Sequence, residues 1–304
     1  MSEQNKARIR VIDLESTHPT PAEGGLVEIG YADLEAQSVD LAGLPTDWKV
    51  IGGRGRLCNP GCPVPPETEA IHHLGDDDVR HQPDWKVLFF GLLRKAVDDH
   101  VIAYAAYGAD FELQFMHPDW MGPTPPPMVD VHKVGLRVWE DKPPHHSNRA
   151  LQYWRKPIGL NKADALPNHR AYPDALVTAF LLRDLLNDEG CALEQMIEWS
   201  KLPALTVRCY IGDWRNDGRG TLWKDVDTSF LEWILYKGFH DKPDVRFTAE
   251  YHLAKRRAEE DQERERDELN AQFRANGMSE IKSFSSPDIA AVPVADTNQE
   301  SLPL

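Results

Sequence analysis

The segment Arg8-Ile-Arg-Val-Ile-Asp-Leu-Glu-Ser-Thr17 is an apolar run that closes on two carboxylates at alternate positions, Asp13 and Glu15. The run predicts a β-strand. Successive strand side chains point to opposite faces, so residues 9, 11, 13 and 15 share one side, and both acids leave that side at the strand's carboxyl end. Neighbouring anions raise each other's pKa unless a proton or a metal ion intervenes, and oxygen-only ligands suit Mg²⁺ or Mn²⁺. An isolated Asp-x-Glu is more often a solvated strand end, so the pair needs support from elsewhere in the chain.

With 304 residues the chain has the length of one large domain plus an accessory one. Its formal charge of −15 argues against broad adhesion to nucleic acid or to anionic membranes. A nucleic-acid enzyme is still allowed: distant acidic surface is screened beyond a Debye length of about 8 Å, whereas bound divalent ions act at contact range. No apolar run approaches the roughly 18 residues of a membrane span. The start, Met-Ser-Glu-Gln-Asn-Lys, lacks a signal-peptide core. A cytoplasmic protein with no membrane partner is expected. Four cysteines make no disulfide framework. Cys58 and Cys62, in a proline-rich loop near His72 and His73, are a weak zinc pattern, and free thiols are expected.

Alternation and turn residues predict a β-meander over 9–14, 26–34 and a third strand that starts at Val39 or Trp48 and ends at Leu57. A short helix over 67–74 follows. Apolar residues at 85, 88, 89, 92, 93 and 96 predict a helix over 84–100, and 101–106 reads as a buried strand. A helix over 111–116 should stop at the proline-rich stretch 122–127, before a strand over 128–132. Residues 171–186 predict a helix, with Pro173 in the first turn where proline is tolerated. The proposed division is 1–195 for the main domain, 203–254 for a small module, 255–275 for a charged helix and 276–304 for a disordered tail. There is no internal repeat.

Two further segments support the Asp-x-Glu pair. Taken in order, Asp13-x-Glu15, then Gly108-Ala-Asp-Phe-Glu112, then His169-x4-Asp174 resemble the three motifs of the DEDD-type 3′→5′ exonucleases, in the subclass with a histidine in the third motif. Gly25-Leu-Val-Glu-Ile-Gly30 is similar to the family's second strand, and Pro63-Val-Pro-Pro-Glu-Thr-Glu-Ala-Ile-His72 to the loop before its Ile-His pair. The resemblance covers residues 8–190. Arg208-Cys-Tyr-Ile-Gly-Asp-Trp-Arg215, Gly218-Arg-Gly220, Phe230-Leu-Glu-Trp-Ile-Leu235 and Pro243-Asp-Val-Arg-Phe-Thr248 resemble the small carboxyl-terminal module of the exodeoxyribonuclease X family. Ile211-Gly-Asp213 lacks that family's lysine there.

The resemblance implies a ribonuclease-H-like α/β fold with a mixed five-stranded sheet, and a small carboxyl-terminal module. It implies a metal-dependent 3′→5′ exonuclease that releases nucleoside 5′-monophosphates from single- or double-stranded DNA with a 3′ end. Asp13, Glu15, Glu112 and Asp174 would hold two divalent cations, Mg²⁺ or Mn²⁺. His169, of a type with an unperturbed pKa of about 6.5, would act as general base. Ser16, Thr17 and His72 would lie against the substrate. Alternatives are a short-RNA exonuclease, since recognition of the 2′-hydroxyl leaves no motif here, and a catalytically weakened nucleic-acid-binding factor. The latter is kept open by Tyr107-Gly108 and Glu112, where the family often has His-Asn and Asp. Asp110 competes with Glu112 as ligand. Glu112 is expected to face inward with Phe115 and Met116 while Asp110 caps the helix. Arg54, Arg56, Arg155 and Lys156 are candidate phosphate contacts. Trp199, Trp223 and Trp233 are expected to pack.

Overall fold

A computed structural model of the protein describes residues 6–93, 100–116, 121, 126–139, 147–239, 242–276 and 279. The chain divides into two units, Met1–Leu202 and Pro203–Leu304. In the first unit the strands are β1 (Arg8–Ser16), β2 (Leu26–Val39), β3 (Pro45–Leu57), β4 (Val101–Ala106) and β5 (Met128–Asp130). They form one sheet in the order β3-β2-β1-β4-β5. The β1–β2 and β2–β3 pairs are antiparallel, and β1–β4 and β4–β5 are parallel. This is the mixed sheet of the ribonuclease-H-like α/β fold. Its helices are α1 (Pro66–His72), α2 (Asp76–Val79), α3 (Trp85–Leu92), α4 (Asp110–Phe115), α5 (Val131–Val138), α6 (Asn148–Arg155), α7 (Ala171–Asn187) and α8 (Leu193–Ser200).

The two faces of β1 feed two cores. Ile9 and Val11 pack with Ala103, Ala105, Val129 and the α7 residues Val177 and Leu181. Ile12 and Leu14 pack on the other face with Trp85, Phe89, Tyr104 and Phe115. The alternation that buries Ile9 and Val11 under α7 also sends Asp13 and Glu15 to that helix's side. Arg10, on the opposite face, is buried but matched: its Nε and Nη2 each donate to Asp33 at 2.7 Å, and Nη1 donates to the Leu92 carbonyl at 2.7 Å. A bidentate pair with a third hydrogen bond lets a guanidinium sit under an apolar layer.

Several expectations need correction. The strand expected over 128–132 ends at Asp130, and the chain turns at once into α5, because the Asp130 carboxylate accepts the Lys133 N–H at 3.1 Å and caps that helix. The helix expected over 84–100 is described from Trp85 to Leu92, with 94–99 outside the described residues. Most of the stretch 122–127 and of the tail 276–304 also lies outside them.

The second unit contains β6 (Arg208–Cys209) paired antiparallel with β7 (Thr221–Leu222), then α9 (Thr228–Lys237) and α10 (Pro243–Ala275). The charged helix expected from 255 begins at Pro243, so the division at 254/255 falls within one continuous helix. Its first turns bury Phe247, Ala249, Tyr251 and Leu253, and Ala249 and Leu253 join a core of Cys209, Trp223, Val226, Leu231 and Ile234. Among the described residues no helix is long and apolar enough to cross a membrane.

Candidate active site

Asp13 and Glu15 lie at the carboxyl end of β1, opposite Gly30 and Glu28 of β2 respectively. These two partners seat α7. A Cβ at Gly30 would collide with the Ala171 backbone, so glycine lets the helix start press against the sheet beside Asp13. Glu28 is buried and its carboxylate accepts the Ala171 N–H at 3.0 Å and the Arg170 Nε and Nη2 groups at 2.8 and 2.9 Å. An acid from β2 thereby anchors the amino terminus of α7, where helix N–H groups have no partner of their own. The first turn of that helix then presents Asp174 to the strand acids.

Asp174 is buried. Its Oδ2 accepts the His169 backbone N–H at 2.7 Å, while its Oδ1 accepts the Asn148 side-chain amide at 3.3 Å and lies 2.6 Å from Arg149 Nη2. His169 is exposed, in left-handed backbone at φ 56°. Glu15, His169 and Asp174 each offer an atom capable of holding a metal, and these atoms lie within 4.8 Å of one another.

Glu112 arrives from the next strand. Where β4 runs into α4, Gly108 adopts φ 79°, and the Asp130 carboxylate accepts the Gly108 and Ala109 N–H groups at 3.2 and 3.1 Å. Glu112 is buried with Phe115 and Met116, as its helical spacing predicts. Asp110 is different. It is the first residue of α4, makes no side-chain cap, and points to solvent 3.7 Å from Lys133 Nζ. The capping role expected of Asp110 belongs to Asp130, which reaches α4 from the neighbouring strand.

The four acids repel one another. Burial, followed by the charges of Glu15, Glu112, Asp174 and Glu28, holds Asp13 well above the ordinary carboxylate range. Burial and the neighbouring Asp174 and Glu28 push Glu15 to about 8. Burial, with Asp130, Glu15 and Asp110 nearby, pushes Glu112 to about 8. Glu112 Oε2 is buried with no hydrogen-bond partner among the described residues. Buried carboxylates with raised pKa values and an unmatched oxygen fit a hard divalent cation, whose charge would offset the repulsion and whose preference is for oxygen.

The three residues expected to meet substrate make hydrogen bonds within the protein. Thr17 is buried, and its hydroxyl donates to the Gly25 carbonyl at 3.3 Å and accepts the Gly25 N–H at 3.1 Å. Ser16 Oγ donates to the His18 carbonyl at 2.6 Å. His72 is buried, its Nδ1 accepts the Leu74 N–H at 3.1 Å, and burial lowers its pKa. All three hold the loops at the end of β1. Arg155, a candidate phosphate contact, is paired with Asp184 and Glu189, whereas Arg54, Arg56 and Lys156 are exposed. Cys58 donates its thiol to the Leu26 carbonyl and Cys62 lies 3.4 Å from Thr17 Oγ1. Among the described residues the only cluster with metal-ligand geometry is the one at Glu15.

No family model matches the chain. Exodeoxyribonuclease 10 of Escherichia coli strain K12 is 26% identical over 247 residues, which are 81% of this chain and 98% of that protein. The chain resembles this exonuclease. The protein of the same name from E. coli O6:H1 gives the same values. Among solved structures, exonuclease X in complex with 5′ overhanging duplex DNA is 26% identical, covering 63% of this chain and 99% of that one, with a TM-score of 0.47. E. coli exonuclease I in complex with a dA16 oligonucleotide is 13% identical, covering 64% and 42%, with a TM-score of 0.43.

Proposed function

We propose that the protein is a metal-dependent 3′→5′ exonuclease that hydrolyses DNA phosphodiesters to nucleoside 5′-monophosphates. The observation that carries this reading is the meeting of Asp13, Glu15, Glu112 and Asp174, brought from β1, α4 and α7, with an exposed His169 at their side. The similarity to exodeoxyribonuclease 10, across nearly all of that protein, supports DNA as the substrate class.

The four carboxylates would hold two divalent cations, Mg²⁺ or Mn²⁺. When bound, such ions supply Lewis acidity and a positive clamp for the attacking and leaving oxygens of an in-line displacement. The chain's own residues do the rest. His169 accepts a proton from the attacking water at a ring nitrogen, and its exposure lets that proton pass on to solvent. Glu28 and Gly30 fix the start of α7, and with it the approach of Asp174 to the strand acids. Asp130 fixes the start of α4 and the depth at which Glu112 sits.

The test is a product ladder. Purified protein with Mg²⁺ or Mn²⁺ is incubated with 5′-end-labelled single- and double-stranded DNA and RNA. Labelled DNA that shortens stepwise from its 3′ end, with release of 5′-mononucleotides, is the expected result. Shortening of RNA alone would replace DNA as the substrate, and binding without any cleavage would point to a weakened factor.

A further inference from the structure

Arg149 is the second residue of α6, and no sequence signal marks it. Its guanidinium is anchored at one end, where Nη1 donates to Gln152 Oε1 at 3.3 Å and to the Ala165 carbonyl. The other end points at the acids. Nη2 lies 2.6 Å from Asp174 Oδ1, with the two side chains only 15% and 9% exposed. That contact is off the hydrogen-bonding direction, so Nη2 and the equally buried Nε keep N–H groups with no hydrogen-bond partner among the described residues. The pair is therefore held by charge. Arg170, a guanidinium that faces Glu15, is tied in bidentate fashion to Glu28 and not to the four acids proposed as ligands. A buried cation with unsatisfied donors beside carboxylates that repel one another neutralises them only in part.

We propose that Arg149 is the cation that Asp174 keeps until a divalent ion arrives, so that guanidinium and metal compete for Oδ1 and Arg149 sets the concentration at which the site loads. This rests on the metal-site reading above. The ion must break the ion pair to reach Oδ1, and it feels the positive charge of the guanidinium throughout. Coupling between two ligands is reciprocal: the ion weakens the Arg149–Asp174 contact by the factor by which Arg149 weakens the ion. A neutral side chain at position 149 removes both the competing contact and the like-charge repulsion.

The experiment is calorimetric titration of the EDTA-stripped full-length protein with Mn²⁺, for wild type, Arg149→Gln, Arg149→Lys and Asp13→Asn. Arg149→Gln should bind Mn²⁺ about tenfold more tightly than wild type, within the usual range for two coupled ligands. Its melting temperature without metal should fall, and the rise on adding Mn²⁺ should exceed that of wild type. Arg149→Lys, whose ammonium reaches less far than the guanidinium's Nη2 and so draws the cation back from Oδ1, should bind at least about threefold more tightly. Mn²⁺ affinity in Arg149→Gln equal to or weaker than wild type overturns the proposal. If the Gln variant does not fold without metal, unchanged affinity in the Lys variant overturns it equally. The two readings fail separately. Wild type that binds Mn²⁺, Asp13→Asn that does not, and Arg149→Gln unchanged would leave the metal site standing and remove only the competition. A wild type that binds no Mn²⁺ removes both.

Discussion

At the scale of single residues, the acid cluster costs the metal-free protein stability. Glu15 and Glu112, pushed to about 8 from an ordinary value of 4.5, hold protons in the native state that the unfolded chain releases. Between those values the folded protein binds more protons at these two groups, so their contribution to stability is fully present below about pH 4.5 and is lost as pH rises through about 8. The melting temperature of EDTA-treated protein should fall over that window, and Mn²⁺ should restore it at the alkaline end; a flat profile without metal would contradict the charge account. Asp13→Asn removes, at nearly constant volume, a carboxyl that repels its neighbours once it is ionised. At the alkaline end of that window it should melt higher than wild type without metal and yet lose Mn²⁺-dependent stabilisation, as thermal scans with and without the ion would report. The shared face of Asp13 and Glu15 was legible in the sequence because strand alternation fixes it, and Asp174 was marked only by its place in the third motif of the family resemblance. Glu28 and Arg149 were not, because their roles come from partners far along the chain, 142 residues away in the Arg170–Glu28 pair.

At the scale of elements, the site depends on two helix starts. Asp130 serves α4 and α5 together through N–H groups of Gly108, Ala109 and Lys133. Asp130→Ala should cost about 2 kcal/mol in denaturant unfolding, the upper range for a lost cap, and should lower turnover because α4 carries Glu112. Asp110→Ala, at an exposed position with no cap, should change stability by less than about 0.5 kcal/mol. Equal losses in the two variants would return the cap to Asp110. Gly30→Ala forces the α7 backbone off the sheet, and a soluble variant should show weakened Mn²⁺ binding as Asp174 withdraws. The strands and α7 were readable because each has an apolar face of the right period. The α5 start was not: Val129-Asp-Val131 in an apolar setting reads as strand, and only the Lys133 N–H on Asp130 reveals a cap. In the same way the mixed charges of 255–274 marked the solvated part of α10, while the buried turns before them carried no comparable pattern.

At the scale of the whole molecule, the five-stranded sheet and the two cores fed by β1 lie within Met1–Leu202. The match to exodeoxyribonuclease 10 is longer than that unit, at 247 residues. Removing residues 203–304 should therefore leave a folded protein that still cleaves short oligonucleotides, with weaker action on long or duplex DNA if the second unit adds remote binding energy. An insoluble truncation would show that the first unit needs the second, and unchanged activity on long duplexes would remove the binding role. With a net charge of −15, DNA affinity should also fall steeply when metal is withdrawn. The central claim is that the carboxylates at the end of β1 and the start of α7 form a metal-dependent nuclease centre. Its most direct test is turnover of a 5′-end-labelled single-stranded oligodeoxynucleotide by wild type and Asp13→Asn in Mn²⁺, each repeated in excess EDTA. Stepwise shortening by wild type in Mn²⁺ alone, with none by the variant and none in EDTA, is the expected result; wild-type-like cleavage by Asp13→Asn, or full activity in EDTA, would contradict it.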